Sequence, residues 1–438
     1  MSVTLHHYFA FRPVGQGLFA HGSLARREGK IKPFNWLYDC GISGKFSILQ
    51  NQIQQYLKTE GNEIDLAMLS HYDQDHVNGV VELIKHGGQI RTLVLPYLYP
   101  AQRLRLLMDA SGSANWYLRF LTSPAQYLQS LEAEGSVEQV LFISPGGDEY
   151  PQEPESNTPE PDFPPKENKK PRRNLDMGDE KTSTQPIDGF SAEEDSDFNH
   201  RTLLQNSSQP FTALGLWEFC FYNRPQELKD LQQWWQDAEP HWRQFQSSNK
   251  TPKDYEHLIR DMQAATVNNP ALPKSAFDAN EVSLQVYAGP LTRNLSRADR
   301  FNGILTTTEF IHLPLAPNHL MLRHRHPSTN SIRENGGFLF TGDITMDAPT
   351  SKLIEDKFLG QGRWQRLSYL QVPHHGASKS WRPKVYKNWH HQFSIFSARC
   401  IGGYGHPHKD VVDDLVKRNP IMVNAYQGFV GYENYRFN

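Results

Sequence analysis

Apolar residues in the first part of the chain follow two spacings, one typical of strands and one typical of helices. Short apolar or alternating segments predict strands, and apolar residues three and four apart predict helices. The elements predicted in this way are strands over residues 4–11, 18–21, 35–38, 64–69 and 90–96, and helices over 46–57 and from 80 to 84. This alternation predicts an α/β protein whose helices lie outside two sheets.

The same spacings continue after residue 100, with longer helical segments. The further predicted elements are a helical stretch over 102–131 with a break near 111–113, strands over 140–143 and 216–222, and helices over 228–245 and 411–416. The helix over 228–245 contains Trp234, Trp235 and Trp242. We expect these aromatic side chains to pack in a core, although they are also the first candidates for a wall that contacts a partner or substrate.

Residues 145–200 have a different composition, with prolines clustered between 151 and 165 among acidic, amide and lysine residues. Few of these side chains suit a core, so we predict a flexible linker or long loop. The basic run at 169–173 is expected to be a solvated part of that loop rather than a nucleic-acid contact. Residues 289–334 are predicted to extend between two core strands, with a basic patch at 323–326 that suits either phosphate contact or a solvated turn.

Composition limits the class of protein without identifying it. The 438 residues are 38% hydrophobic with 24 Phe and nine Trp, which is enough for a large folded core. A net charge of −3 argues against a protein that coats nucleic acid irrespective of sequence, but says little about a nuclease. Three widely spaced cysteines, no signal-peptide pattern and no long apolar run predict a reduced, cytoplasmic protein outside the membrane.

Residues 70–79 bring together several side chains that are able to bind a metal. The four candidates are His71, Asp73, Asp75 and His76. They stand between a predicted strand and a predicted helix, a rigid junction, and imidazole with carboxylate suits the divalent metal of a hydrolase. The simpler alternative is a helix start with solvated side chains, capped by Asp75 or Asn78.

Three later segments supply further candidate ligands at strand ends and on a loop. Asp343 follows an apolar strand and a Thr-Gly turn, where glycine permits a tight change of direction. His374 and His375 also follow a short apolar strand, and two buried imidazoles need hydrogen-bond partners, which disfavours a role as core filling alone. His406 and His408 lie on a loop before a helix, and this pair is a weak signal by itself.

The order of these motifs resembles the metallo-β-lactamase domain of the DNA-uptake protein ComEC and its soluble relatives. The run from His71 to His76 is a variant of the His-x-His-x-Asp-His signature of that superfamily, and the later motifs follow in the same order. Further similarity lies in Val-Gly-Gln-Gly at 14–17, Asp-Cys-Gly at 39–41 and Asn-Glu-Val-Ser-Leu at 280–284. The resemblance covers residues 7–100 and 278–435.

The resemblance implies a metallo-β-lactamase αββα sandwich with a large insertion between core strands. The implied divisions are an N-terminal half of the core at 1–144, the linker at 145–200, a helical Trp-rich insertion at 201–277 and a C-terminal half of the core at 278–438. The chain departs from the family pattern at Pro13 and Leu18, where acidic or polar residues are usual. No histidine is assigned to the family's third ligand motif, and that position stays open.

The resemblance also implies two divalent metal ions. His71 and Asp73 would hold one ion, Asp75 and His76 would hold the other, and Asp343 would bridge them. Asp75 would also orient the attacking water or accept its proton. Asp73 stands where most of the superfamily has histidine, and this exchange adds a hard oxygen ligand, so Mn²⁺ becomes a rival to Zn²⁺.

The remaining candidates are assigned supporting roles by the same resemblance. We expect His375 to be a metal ligand and His374 to contact the substrate. His406 or His408 would bind the phosphate or protonate the leaving oxygen. Asp39 would brace the ligand loops from behind.

Taken with the resemblance, these residues predict a phosphodiesterase, most plausibly a DNA nuclease. Soluble relatives of this kind occur in bacterial defence systems beside NTPases, which suggests an effector nuclease with an NTPase partner. The alternatives are a hydrolase of small phosphodiesters, similar to phosphorylcholine esterases, and a metal-stabilised interaction module without catalysis. Replacement of histidine by Asp73 favours phosphodiesters over lactams or thiol esters as substrates.

Overall fold

The architecture is taken from a computed structural model. It describes residues 2–29, 31–131, 135–145, 175–176, 202–205, 210–224, 229–268, 279–291, 295–307, 336–355, 363–386, 389, 391–399 and 405–437. Nearly all of the predicted linker at 145–200, the basic runs at 169–173 and 323–326, and Cys400 lie outside the described residues. Every candidate site residue lies within them.

The described residues alternate between strands and helices in most of the places that the apolar spacing predicts. The strands are β1 Val3–Phe11, β2 Phe19–Arg26, β3 Phe34–Cys40, β4 Glu63–Met68, β5 Gln89–Pro96, β6 Ser136–Ile143, β7 Leu175–Asp176, β8 Thr202–Gln205, β9 Phe211–Ala213, β10 Trp217–Tyr222, β11 Gln285–Pro290, β12 Leu295–Thr306, β13 Gly337–Phe340, β14 Leu367–Gln371, β15 Phe393–Ser397, β16 Pro420–Val423 and β17 Gln427–Phe437. The helices are α1 Phe46–Thr59, α2 Gln74–Lys85, α3 Pro100–Asp109, α4 Asn115–Thr122, α5 Pro124–Gln129, α6 Lys229–Gln246, α7 Pro252–Asn268, α8 Ala348–Leu353, α9 Arg363–Arg366 and α10 Lys409–Asp414.

The strands form two mixed sheets. The first has the order β12-β17-β1-β2-β3-β4-β5-β6-β8, antiparallel from β12 to β3 and parallel from β3 to β8. The second has the order β16-β15-β14-β13-β11-β10-β9-β7, parallel from β16 to β13 and antiparallel beyond. Parallel strands joined through helices beside antiparallel strands confirm the predicted α/β class.

The two sheets face each other across an apolar core rich in aromatic rings. Phe9 on β1 lies 4.7 Å from Phe338 on β13 and 4.9 Å from Tyr369 on β14, measured between ring centroids. Tyr38 on β3 stacks on Phe340 at 4.3 Å. Separate apolar clusters join the outer face of the first sheet to α1–α7, and the outer face of the second sheet to the segments around α8 and α10. Helices therefore cover the two faces that the sheets do not bury against each other.

Two predicted insertions contribute strands to the sheets, which corrects their description. The segment 201–277 contains the helices α6 and α7, but it also supplies β8 to the first sheet and β9 and β10 to the second. The segment 289–334 was predicted to extend between core strands, whereas β12 pairs with β17 along its length and forms an edge of the first sheet. Pairing between strands that are far apart in the chain leaves little trace in local spacing, which explains both differences.

The sheets bring the candidate residues to one edge. In the first sheet, β3 and β4 are parallel and end at Asp39–Cys40 and just before His71. In the second sheet, β13 and β14 are parallel and end just before Asp343 and His374. The carboxyl ends of parallel strands share one edge of a sheet, so each sheet carries half of the candidate site.

The cysteines within the described residues lie in the core. Cys40 and Cys220 are both buried free thiols. Among the described residues, no helix combines the length and apolar character needed to cross a membrane.

The first prediction concerns the close approach of α2 to β3. A Cβ added at Gly79 would lie 2.5 Å from both the carbonyl oxygen and the Sγ of Cys40, so an alanine would push the helix away from the strand. Gly79→Ala is expected to lower the free energy of unfolding by about 1–2 kcal/mol, although alanine is the better helix former. Urea unfolding measures this loss. The exposed Asn51→Ala on α1 is the control, and a Gly79→Ala protein as stable as the parent would contradict the packing.

Candidate metal centre

The metal-binding run crosses the junction between β4 and α2. Helix α2 begins at Gln74, with Asp73 in extended conformation as its N-cap residue. His71 and His76 are fully buried, and their ring centroids lie 4.1 Å apart. Asn78 does not cap the helix; its amide group accepts from the Ile42 N–H at 3.1 Å and donates to the Ile42 carbonyl at 2.8 Å. The simple capping alternative therefore does not account for the buried pair of histidines.

Asp343 is placed by a turn that fits only glycine at its centre. Gly342 has a φ of 57°, and a Cβ there would lie 2.8 Å from the side chains of Ser70 and Ser283. The Ser283 hydroxyl accepts a hydrogen bond from the Asp343 N–H at 3.1 Å, and the Gln371 side chain accepts one from the Gly342 N–H at 2.9 Å. The turn therefore packs against Ser70, just after β4, and is hydrogen-bonded to Ser283, just before β11, and to Gln371 at the end of β14.

Five side chains bring nitrogen and oxygen donors together between the two sheets. His76 Nε2 lies 3.5 Å from Asp343 Oδ1, and His71 Nε2 and His375 Nε2 lie 4.0 Å and 3.8 Å from Asp343 Oδ2. His375 Nε2 also lies 3.4 Å from Asp75 Oδ2. Two ligands of one metal ion, each about 2.1 Å from it, cannot be more than about 4.2 Å apart. These separations therefore fit a shared ion.

Two overlapping groups meet this distance requirement. One consists of His71, His76 and Asp343, and the other of Asp75, His76 and His375. Asp73 is held nearby, with Oδ2 3.7 Å from His71 Nε2. The structure therefore brings five of the six candidate metal ligands into these groups, with Asp73 beside them, and places His76 in both groups, which the sequence does not predict.

In each buried histidine, the hydrogen bond made by the outward-facing Nδ1 leaves Nε2 as the nitrogen that can bind a metal ion. His76 Nδ1 donates to the Asp39 carboxylate at 2.7 Å, and His375 Nδ1 donates to the Ser397 carbonyl at 2.7 Å. The Ser70 hydroxyl donates to Asp39 at 2.7 Å and so accepts from His71 Nδ1 at 2.8 Å. With Nδ1 engaged in this way, Nε2 is the ring nitrogen that faces the common point, and the neutral form of each ring presents a lone pair there. This arrangement is typical of metal-ligating histidines.

The converging atoms have no other partner that would explain their burial. Within the described part of the chain, Nε2 of His71, His76 and His375 and Oδ1 of Asp343 are buried and form no hydrogen bond. Each buried polar group left without a hydrogen bond costs about 1–3 kcal/mol. Four such groups facing one point fit a bound cation much better than an ordinary core.

The protein itself holds positive charge at this point. Burial lowers the pKa of His76, but the carboxylates of Asp343 and Asp39 outweigh burial and hold that pKa well above its usual value. Burial raises the pKa of Asp75, but the neighbouring His375 and His76 together outweigh burial and lower it to about 2. Burial, reinforced by His76, lowers the pKa of His71 to about 3, so His71 is a neutral imidazole at pH 7. His71 therefore offers a neutral nitrogen and Asp75 an ionised oxygen, the states that metal binding requires, whereas the raised pKa values of His76 and His375 mean that a metal ion would displace a proton from each ring.

His406 and His408 have the opposite tautomer. His408 Nδ1 accepts from the Ser378 N–H at 3.0 Å, so its proton is on Nε2. His406 Nδ1 lies 3.4 Å from Gln16 Nε2, and the Gln16 side-chain oxygen accepts from the Arg399 N–H at 3.4 Å. The hydrogen bond from the Arg399 N–H orients the Gln16 side-chain amide so that its NH₂ group donates to His406 Nδ1. Both rings therefore present an N–H rather than a lone pair, which suits binding a phosphate oxygen or donating a proton.

His374 lies between the two sets of residues. Its Nε2 is 4.0 Å from Asp343 Oδ2, its Nδ1 is bonded to the Ser380 hydroxyl, and its ring centroid is 6.0 Å from that of His406. His374 and His375 have positive φ values of 49° and 57°, an uncommon conformation that turns the two rings in different directions. His375 is buried and His374 is partly exposed, which fits the prediction that His375 binds metal and His374 contacts the substrate.

Sequence reasoning missed Gln16, Ser70 and Ser283 as residues that shape the centre. Gln16 and Ser283 lie inside motifs that the sequence singled out, but a motif does not reveal which nitrogen a side chain contacts. Among the described residues, no histidine from a third motif joins either group, and His312, His319, His324 and His326 lie outside them.

The second prediction tests the support that Asp39 gives to the ligands. Asp39→Asn removes the charge that holds the Nδ1 proton of His76, so the affinity for Zn²⁺ or Mn²⁺ is expected to fall about 10–100-fold. Competition with a fluorescent chelator measures this change. Asp65→Asn is a matched control, because Asp65 is a buried carboxylate that accepts from the Asn35 N–H at the opposite end of β3 and β4. Equal metal affinities for Asp39→Asn and the parent would contradict the proposed support.

The centre is defined by its geometry and not by likeness to other proteins. No protein-family model and no curated protein matches this chain. The buried histidine and aspartate clusters at the edges of two facing sheets could hold a metal ion, and the arrangement of their protons favours it.

Proposed function

We propose that this protein is a metal-dependent phosphodiester hydrolase that acts on DNA. The observation that carries the proposal is the convergence of Nε2 of His71, His76 and His375 on the Asp343 carboxylate. Their Nδ1 atoms are all engaged on the outer side. A structural core has no need for this arrangement, whereas a hydrolytic metal site does.

The motif order supports the metallo-β-lactamase αββα fold as part of the proposal. Two facing sheets with helices on their outer faces and a site at their shared edge agree with that fold. The resemblance in motif order to the ComEC domain points from this fold to phosphodiesters as the substrate class.

Two ions are proposed because the donors near Asp343 include two separate close pairs. His71 and Asp73 form one pair at 3.7 Å, and His375 and Asp75 form the other at 3.4 Å. Asp343 presents Oδ1 to His76 and Oδ2 to His71 and His375, so one carboxylate reaches donors of both pairs. Three carboxylates among the ligands make a hard site, which suits Mn²⁺ as well as Zn²⁺.

The exposed side of the centre determines where substrate enters. The side chains of His71 and His76 are 0% exposed, whereas those of Asp73 and Asp75 are 40% and 22% exposed. A bound divalent ion supplies a Lewis acid that activates water and offsets charge on the phosphodiester. Asp75, at the boundary between ligands and solvent, is placed to orient the water and accept its proton.

The loop that carries His406 and His408 closes another side of the centre. The His406 ring lies 6.5 Å from that of His375 and 4.9 Å from that of His408, between centroids. Burial, with the nearby His375, lowers the pKa of His406 to about 4, so its Nε2–H is a neutral donor at pH 7. We assign these two donors to the phosphate oxygens and the leaving oxygen.

The third prediction is metal-dependent DNA cleavage that requires Asp75. Purified protein is incubated with supercoiled and linear DNA in the presence of Mn²⁺, Mg²⁺ or Zn²⁺, and products are resolved on gels. We expect cleavage with Mn²⁺ or Zn²⁺, and a fall in rate of about 10²–10⁴-fold in Asp75→Ala, because general base catalysis typically contributes that much. Asp343→Ala is expected to lose both activity and bound metal.

The matched control is Asp413→Ala, which removes an exposed carboxylate on α10 that pairs only with Lys409 among the described residues. It should leave cleavage unchanged. Hydrolysis of bis-p-nitrophenyl phosphate with DNA left intact would replace DNA by a small phosphodiester as the substrate. No hydrolysis of either substrate by metal-loaded protein, or full activity of Asp75→Ala, would contradict the proposed reaction.

A further inference from the structure

A cleft of about 460 Å³ lies beside the metal centre, between α1, α2 and α4. It begins at Asp75 and is lined further on by Phe46, Gln74, Asn78, Lys85 and Trp116. Asp75 is the only candidate ligand among the lining residues, and it is one of the two ligands that solvent reaches. The cleft therefore adjoins the open side of the centre, where a substrate must enter.

Both walls of the cleft are fixed to the segment that carries the metal ligands. On one side, Asn78 of α2 makes two backbone hydrogen bonds to Ile42, in the loop that leads to Phe46. On the other side, the Tyr117 hydroxyl donates to the carbonyl of Tyr72, next to His71, at 3.0 Å. Because Trp116 precedes Tyr117, this bond sets the position of α4. The cleft is therefore held in a fixed place relative to the centre and is not a loose surface gap.

The chemistry of the lining favours a flat, aromatic ligand with polar edges. Phe46 is a large apolar side chain that is 38% exposed, at the start of α1, and Trp116 is half-buried with its ring 5.4 Å from Tyr117. Gln74 is exposed and able to donate and accept hydrogen bonds. Lys85, also exposed, lies near the far end of α2 from Asp75, and the Glu82 carboxylate, which also lines the cleft, accepts a hydrogen bond from the Gln50 side chain.

We propose that this cleft receives an unpaired nucleobase next to the phosphodiester that is cut, with Phe46 and Trp116 as its stacking surfaces. The proposal rests on the proposed hydrolase function and assigns its substrate class as nucleic acid with at least one unstacked nucleotide. Stacking on aromatic side chains is tolerant of base identity, because every base has a π-face. Phe46 and Trp116 thereby select a nucleotide chain over a bare phosphodiester without selecting a sequence.

The fourth prediction compares a fluorescent thymidine decamer with a decamer of the same length made only of abasic nucleotides. Binding is measured by fluorescence anisotropy and cleavage by gel, both with Mn²⁺-loaded full-length protein. The parent is expected to bind and cleave the thymidine decamer about tenfold better than the abasic decamer, as loss of one stacked base predicts. Phe46→Ala and Trp116→Ala are expected to remove this preference, while abasic cleavage and metal content stay unchanged.

Two further variants separate stacking from a general loss of structure. Trp116→Phe keeps an aromatic face and should keep most of the preference. Tyr426→Ala removes an aromatic ring that is 75% exposed and outside the cleft, and should keep all of it.

The possible outcomes test the nucleobase-cleft proposal and the hydrolase proposal separately. Base-dependent binding without cleavage would refute the hydrolase and uphold the cleft. Cleavage that is equal for both decamers, or unchanged in Phe46→Ala and Trp116→Ala, would overturn the cleft and leave the hydrolase standing. If the protein neither binds nor cleaves either decamer, both the cleft proposal and the hydrolase proposal are overturned. A strong preference for a choline phosphodiester over the thymidine decamer would overturn the cleft proposal alone.

Discussion

The Asp39 carboxylate holds the arrangement on which the whole centre depends. One of its oxygens accepts from the Ser70 N–H and the other from the Ser70 hydroxyl and His76 Nδ1, all at 2.7 Å. The Ser70 hydroxyl in turn accepts a hydrogen bond from His71 Nδ1 and so orients the His71 ring. A single buried carboxylate at a strand end thus fixes the orientation of two imidazoles, so that both turn Nε2 inward. Fixing orientation from behind is what makes a cluster of polar side chains into a metal site.

The same edge joins the two sheets directly, which keeps their halves of the centre in register. The Leu284 N–H donates to the Ser70 carbonyl at 2.6 Å, and the Tyr38 hydroxyl donates to the Leu284 carbonyl at 3.2 Å. Gly342 lets the Asp343 turn pack directly on Ser70. Away from this edge, aromatic rings of both sheets interlock and resist sliding. The precision of the centre therefore comes from the core, because each ligand follows a strand that the core immobilises.

Much of this architecture was predictable, and the reasons for the failures are physical. Local spacing identified α1, α2 and β4 because a helix or strand that buries one face shows it within a few residues. It predicted β10 as a strand but not its pairing with β11, and it missed β12 as a sheet edge, since the partners are distant in the chain or carry no local signature. The motifs predicted which residues gather at the centre, but not the tautomers. The tautomer of His375 is fixed by a backbone carbonyl at Ser397, and no sequence pattern specifies that contact.

The central claim is that the centre binds two metal ions through nitrogen and oxygen alone. Elemental analysis of the purified protein after loading with Mn²⁺ or Zn²⁺, followed by X-ray absorption at the metal edge, tests it most directly. The account predicts two ions per chain, each bound by imidazole and carboxylate with ligand distances of about 2.0–2.2 Å. A protein that takes up no ion, or an ion bound by sulfur, would contradict it.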